Sequence, residues 1–180
     1  KPAERRLVII EDTPEINLDV DVRHPNTVFM QTTVHRSMRD LVKNALRQLP
    51  DHLIVGETRD ETAYDLIQAF QSGQIGSMST IHANDPESAL VRLTNLVRQA
   101  EAAPTEEPAR RMVAEAIHLL VHASVFLDGR RRVVAIDEVV GLDRDFNFIV
   151  RNLFRHRNSI AGGVVTESFV RNPDYVMGPE

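Results

Sequence analysis

Three short segments of this sequence leave their polar surroundings in the same way. Leu7-Val8-Ile9-Ile10 is wholly apolar and ends in Glu11-Asp12-Thr13-Pro14-Glu15, and Leu53-Ile54-Val55 ends in Gly56-Glu57. The third, Gly76-Ser77-Met78-Ser79-Thr80-Ile81-His82, ends in a histidine. A run without polar alternation reads as a strand buried on both faces, and such strands belong to parallel sheets covered by helices. Between them, apolar residues recur at helical spacing: Leu41, Val42, Ala45, Leu46 and Leu49, then Ala63, Leu66, Ile67 and Phe70. Pro50 ends the first of these helices, because a proline pushes the residue before it out of helical geometry; Ser72-Gly73 ends the second. Strand alternating with helix predicts an α/β fold with a three-layer αβα sheet.

The rest of the chain is read around that frame. A polar loop through His24-Pro25-Asn26 leads to a short strand at 28–30. Asp85-Pro86 supplies an N-cap and a first helical residue for a helix running to about 100. Pro104 and Pro108 mark a linker over 101–108, followed by a helix over 109–121. Then the period changes: 125–127, the Asp128-Gly129 turn and 133–140 predict a β-hairpin, and 146–154 a further strand. The expected organisation is an α/β core over 1–100 and a C-terminal helix plus antiparallel β-hairpin subdomain over 101–180. The tail from 162 carries no assignable pattern.

Composition narrows the function. At 42% hydrophobic and 26% charged residues, the 180-residue chain is long enough and apolar enough to bury a core. Lys+Arg number 21 against 26 Asp+Glu, a formal charge of -5, which argues against a domain that blankets phosphate backbones. No run approaches the roughly 18 apolar residues of a membrane span. The absence of cysteine removes disulfides, thiolate metal sites and cysteine nucleophiles together, and fits a reducing, cytoplasmic setting. Met30, Met38, Met78 and Met112 read as core filler. Arg130-Arg131-Arg132 reads as a solvated turn, and Arg151, Arg155, His156 and Arg157 as a solvated strand edge.

The chemistry concentrates where the three strands end. Open α/β sheets bind ligands outside the carboxyl ends of their strands, so Glu11, Asp12, Glu15, Glu57, Arg59 and His82 can converge although they are far apart in sequence. A carboxylate beside a phosphate ligand can hold a Mg²⁺-bound water or orient an attacking one, and a histidine can donate to a phosphate oxygen. Taken singly, each residue has an ordinary role as a cap, a turn former or a satisfied polar group. Together they point to metal-assisted phosphoryl chemistry.

At this point the residues resemble a family. LVIIEDTPE (7–15), LRQLPDHLIVGETRD (46–60) and GQIGSMSTIHANDP (73–86) are similar, in order and separation, to the Asp box, Walker B and His box of the type II/type IV secretion ATPases. The resemblance continues through 89–98, and the stretches 128–133 and 136–141 are most similar to the CpaF-like branch that drives tight-adherence (Flp) pili. It implies an incomplete RecA-like P-loop NTPase core with a C-terminal antiparallel β/helical addition. It also implies ATP hydrolysis with Mg²⁺ and a cytoplasmic homo-hexamer. The expected partner is an inner-membrane secretion or pilus platform protein, with no nucleic-acid partner. Position by position, Glu57 matches the Walker B glutamate that acts on Mg²⁺ through its waters. In the Asp box, Glu15 is the first choice for polarising the attacking water and Glu11 the second. His82 matches the histidine that senses the γ-phosphate. Asp12, Arg59 and Gln74 are assigned to the nucleotide side, Arg59 pairing with the carboxylates or with phosphate; Arg47 is a further candidate for the same role or for a subunit contact.

Three departures from the family pattern accompany these matches. Gln74 stands where a histidine is common, and Leu49 where an arginine precedes Pro-Asp. Nothing matches G-x-x-x-x-G-K-[ST], the loop that cradles phosphates. The family places that loop upstream of the Asp-box strand, so Lys1 reads as a truncation point and the piece alone is expected neither to bind ATP tightly nor to hydrolyse it. The alternative is a non-catalytic scaffold or subunit-interface module of the same fold.

Overall fold

A computed structural model of the chain describes residues 4–16, 18, 24–74, 76–126, 128–161 and 164–173, leaving out the side chains of 158–167. Strand β1 (Leu7–Glu11) is buried at every position and lies between β2 (Thr27–Gln31) and β3 (His52–Val55), parallel to both. A two-residue strand, β4 (Met78–Ser79), completes a parallel sheet of order β2-β1-β3-β4. The wholly apolar run therefore takes the central position, as expected of a strand that must bury both faces.

Helices α1 (Met38–Leu46) and α2 (Thr62–Gln71) lie on one face of this sheet. Val8, Ile10, Leu53 and Val55 point to that face and pack with Leu41, Val42 and Ala45 of α1 and Leu66 and Ala69 of α2. The start of α1 is fixed by a capping box: Ser37 Oγ accepts from the Asp40 N–H while Asp40 accepts from the Ser37 N–H. A second buried cluster joins α2 to α3 (Pro86–Val97), α4 (Glu106–Ala116) and Val139 of an antiparallel sheet. That sheet, of order β5-β6-β7-β8, is built from β5 (Leu119–Val125), β6 (Arg131–Leu142), β7 (Phe148–Ala161) and β8 (Val164–Arg171). The result is an α/β parallel-sheet core with an antiparallel addition.

The sequence reading and the structure differ in several places. The linker expected over 101–108 ends early, because α4 begins at Glu106 and Pro108 falls in its first turn, where a proline is tolerated. Leu49, expected on the apolar face of the first helix, lies beyond the end of α1 and is 84% exposed. The helix expected over 109–121 stops at Ala116. Ile117 is already extended, and Leu119–Val125 pairs with β6 because its apolar, β-branched residues fit a sheet better than a helix. The strand expected over 76–82 is only two residues long, since Thr80 turns its hydroxyl onto the Gly56 carbonyl. Met78, expected as core filler, is half exposed on this edge strand, whereas Met30, Met38 and Met112 do pack against the buried clusters. The tail left unassigned contains β8, which pairs with β7 from Phe154↔Arg171 to Ala161↔Val164.

Several residues of the basic segments are partnered within the chain. Arg132 forks onto both Asp128 oxygens at 2.9 and 2.7 Å and lies over the Phe126 ring. Arg151 donates twice to Glu138, at 2.8 and 2.6 Å, and Arg155 lies 3.4 Å from the buried Asp137. His156 stands edge-on to Phe126.

Candidate active site

Because β1, β3 and β4 run parallel, their carboxyl ends open on one edge of the sheet. Three segments meet there: 11–16 after β1, 56–59 after β3 and 80–82 after β4. The joint between the first two is tight. The Gly56 N–H donates to the Ile10 carbonyl at 2.8 Å, and a Cβ built on Gly56 would lie 3.2 Å from Glu11 Cγ. A larger residue at 56 would press on the Glu11 side chain.

Arg59 ties the edge together. Its guanidinium pairs with Asp12 and, through Nε, with Glu57 at 3.0 Å, so one cation bridges the ends of two neighbouring strands. On its other oxygen Glu57 faces His82 Nε2 at 3.4 Å. Glu57 is three-quarters buried, whereas the His82 side chain is 85% exposed. Asp12, Glu57, Arg59 and His82 thus form one contiguous polar cluster from three separate segments.

Glu11 and Glu15 differ in setting. Glu11 is buried, and its Oε1 accepts from the N–H of Glu15 at 2.9 Å and of Ile16 at 3.0 Å. Glu15 is exposed, on the loop that those two bonds hold. The two other expected site residues lie elsewhere. Arg47 caps the end of α1, beside the 48–51 loop that is bonded to Arg6 at the start of β1. Gln74 precedes β4: its carbonyl accepts from Ser77 Oγ, which in turn accepts from the Leu53 N–H. Both are therefore at the amino edge of the sheet, separated from Glu57 by the length of β3, about 13 Å at the rise of a parallel strand.

A set of hydroxyl contacts that motif reading does not reveal holds Glu57 in place. The buried Thr58 takes its N–H to the Thr80 carbonyl at 2.9 Å and its Oγ1 to Ser79 Oγ at 2.7 Å. Thr80 donates back to Gly56. Glu57 is thereby flanked on both sides by residues bonded to the segment carrying His82. The only hint in the sequence is the presence of small hydroxyl residues at both strand ends, with no spacing rule to single them out.

No helix among the described residues is long and apolar enough to cross a membrane. Nor do the described residues contain a group of three or more His, Cys, Asp or Glu able to hold a metal ion alone.

Comparison with known proteins places the chain in a family. A model of the type II/IV secretion system protein family matches residues 1–127. The probable conjugal transfer protein TrbB of Sinorhizobium fredii is 35% identical over 144 residues, covering 80% of this chain and 41% of the relative. The type IV secretion system protein VirB11 of Bartonella henselae is 36% identical over 106 residues, 56% of this chain and 29% of the relative. Among solved structures, the VirB11 ATPase of the Brucella suis type IV secretion system, in complex with sulphate, superposes with a TM-score of 0.69. It shares 30% identity and covers 75% of this chain and 40% of its own. The pilus retraction motor PilT with bound ADP, 20% identical with a TM-score of 0.51 over 79% of this chain and 40% of its own, shares the fold. The chain thus spans well under half the length of these relatives, and its α/β core is RecA-like. On the match over residues 1–127 together with these relatives, the chain belongs to the type II/IV secretion system protein family.

Proposed function

We propose that this chain carries the part of a secretion ATPase site that handles the metal and the attacking water. The observation that carries the reading is the Arg59 bridge between Asp12 and Glu57, with His82 on the far oxygen of Glu57. Such a cluster at the carboxyl edge of a parallel sheet is where α/β nucleotide enzymes work. The 30% identical structural relative, a VirB11 ATPase, supports the same chemistry.

The residues fit Mg²⁺ of the kind that keeps its waters. Mg²⁺ in ATPases is held by one or two carboxylates plus substrate phosphates rather than by an all-protein cage, and Glu57 is the three-quarters buried carboxylate available for that at this edge. When bound, the ion neutralises charge developing on the phosphates. Glu15, exposed on its tethered loop, accepts a hydrogen bond from the attacking water and polarises it. His82 donates to the γ-phosphate. Arg59, whose side chain is more than half exposed, exchanges a carboxylate for a phosphate oxygen when nucleotide arrives. Asp12 holds Arg59 at the edge until then. Arg47, at the opposite edge, is assigned to a contact with a neighbouring subunit, and Gln74 to the local turn before β4.

The assembly belonging to this reading is a homo-hexamer at the cytoplasmic face of the inner membrane, coupling turnover to a secretion or pilus platform protein, with the tight-adherence branch as the finer assignment. The test is Glu57→Gln in the protein at its full encoded length. Mg²⁺-dependent ATP turnover should fall at least about 100-fold with ring assembly retained, since charge stabilisation is the main catalytic term in phosphoryl transfer. Undiminished turnover would refute the assignment. A wild type that assembles but turns over no ATP would leave a scaffold of the same fold.

A further inference from the structure

The two glutamates of the segment after β1 sit in opposite environments, and that contrast divides their labour. A group that abstracts or polarises a water proton needs a lone pair pointing at the water. Glu15 meets that requirement by exposure. Glu11 is poorly placed for it: it is 5% exposed, and one of its two carboxylate oxygens, Oε1, is already the acceptor for two N–H groups, those of Glu15 and Ile16. Two donors use both lone pairs of that oxygen.

We infer that Glu11 is a positioning residue, whose carboxylate fixes the backbone that carries Glu15 and so sets where the Glu15 side chain reaches above the sheet. The inference rests on the ATPase reading for its consequence in turnover, though not for its geometry. The loop that must hold Glu15 has no secondary structure of its own, and three features replace it. Glu11 takes hold of it at residues 15 and 16. Pro14 fixes one φ angle within it. Arg59 holds its first residue, Asp12. Glu11 itself is set by β1, whose last residue it is, and by Gly56, whose missing side chain leaves the space for Glu11 Cγ. A carboxylate accepting from backbone N–H groups forms charge-assisted bonds roughly twice as strong as neutral ones, which suits a single oxygen that must hold two residues.

The role separates from that of a base by the choice of substitution. Glu11→Gln keeps a carbonyl oxygen in the place of Oε1 but abolishes basicity; Glu11→Ala removes the acceptor. At full encoded length, Glu11→Gln should keep kcat within about fivefold of wild type, because a neutral acceptor still holds both N–H groups. Glu11→Ala should lower kcat about 100-fold with little change in KM, the scale expected when a catalytic group is displaced by about 1 Å. Glu15→Gln should lose at least as much. Hydrogen exchange at the Glu15 and Ile16 amides of the same proteins gives a readout independent of turnover. Both amides should be protected in wild type and Glu11→Gln and exchange faster in Glu11→Ala. The inference is overturned if Glu11→Gln loses as much kcat as Glu15→Gln, or if the two amides exchange equally fast in wild type and Glu11→Ala. A wild type without ATP turnover would sink the functional reading alone, and the exchange data would still decide the place of Glu11.

Discussion

Gly56→Ala puts one methyl group into the joint between β1 and β3, and the sign of its effect can be worked out from the structure. The new Cβ would lie 3.2 Å from Glu11 Cγ, with the Ile10 carbonyl oxygen at 3.5 Å and Glu11 Cα at 3.6 Å. Gly56 is not among the glycines in the left-handed region, so alanine meets no backbone strain there. In open space the substitution would stabilise by about 0.4–1 kcal/mol through the unfolded chain. Here Glu11 Cγ must give way by a few tenths of an ångström while its carboxylate is held by two N–H groups. Overpacking of this kind costs about 1–3 kcal/mol, which leaves a net loss of about 1 kcal/mol. Glu11→Ala deletes the clashing Cγ. In that background Gly56→Ala should cost nothing or stabilise, giving a coupling of about 1 kcal/mol or more between neighbouring positions. Urea denaturation of the wild type, both single variants and the double variant measures this directly. Equal effects of Gly56→Ala in the two backgrounds, or stabilisation in the wild type, would refute the packing argument.

Other expectations test other parts of the molecule. Asp65 is buried on α2 and paired with Arg39 at 2.7 Å and Lys43 at 3.5 Å on α1. Asp65→Ala should destabilise by about 2 kcal/mol in denaturant titration, less than for a fully buried pair because both cations reach solvent. Leu49 combines a φ of 51° with 84% exposure, so Leu49→Asn should raise stability by about 1 kcal/mol by relieving a left-handed leucine that packs on little. The Asp128 carboxyl is held down to a pKa of about 2, first by the Arg132 side chain and then by the Arg130 N–H. Its folded value lies below the ordinary 3.8, so its contribution is fully present above that value and is lost progressively as pH falls from there through about 2. A side-chain carbonyl titration of Asp128 by NMR should show its midpoint near there, moving up toward 3.8 in Arg132→Met.

The parts of this molecule that could be read from sequence are those where one residue type has one physical use. A short apolar run bounded by turn residues suits a central strand of a parallel sheet, and Leu7–Ile10 is one. Asp85-Pro86 has to open a helix, and Asp85 does accept from the Ser88 N–H at 2.8 Å. The meeting of Asp12, Glu57 and His82 was legible because parallel strands deliver their carboxyl ends to one edge. What was not legible depends on partners distant in sequence. Leu119–Val125 suits a helix or a strand by composition, and only β6 beside it decides. β8 is legible only once β7 extends far enough to pair with it. Arg47 and Gln74 were candidates for the nucleotide side by similarity of motif, yet a motif does not say at which edge of a sheet a residue stands. The different settings of Glu11 and Glu15 turn on two backbone bonds that no residue pattern encodes.

The central claim is that this sheet edge is the water- and metal-handling half of an ATP-hydrolysing site. It is tested most directly by Mg²⁺-dependent ATP turnover and nucleotide affinity of the full-length protein carrying Glu15→Gln. The account predicts a kcat at least about 100-fold below wild type, the scale of a lost general base, with nucleotide binding retained. Turnover equal to wild type in that variant would contradict it.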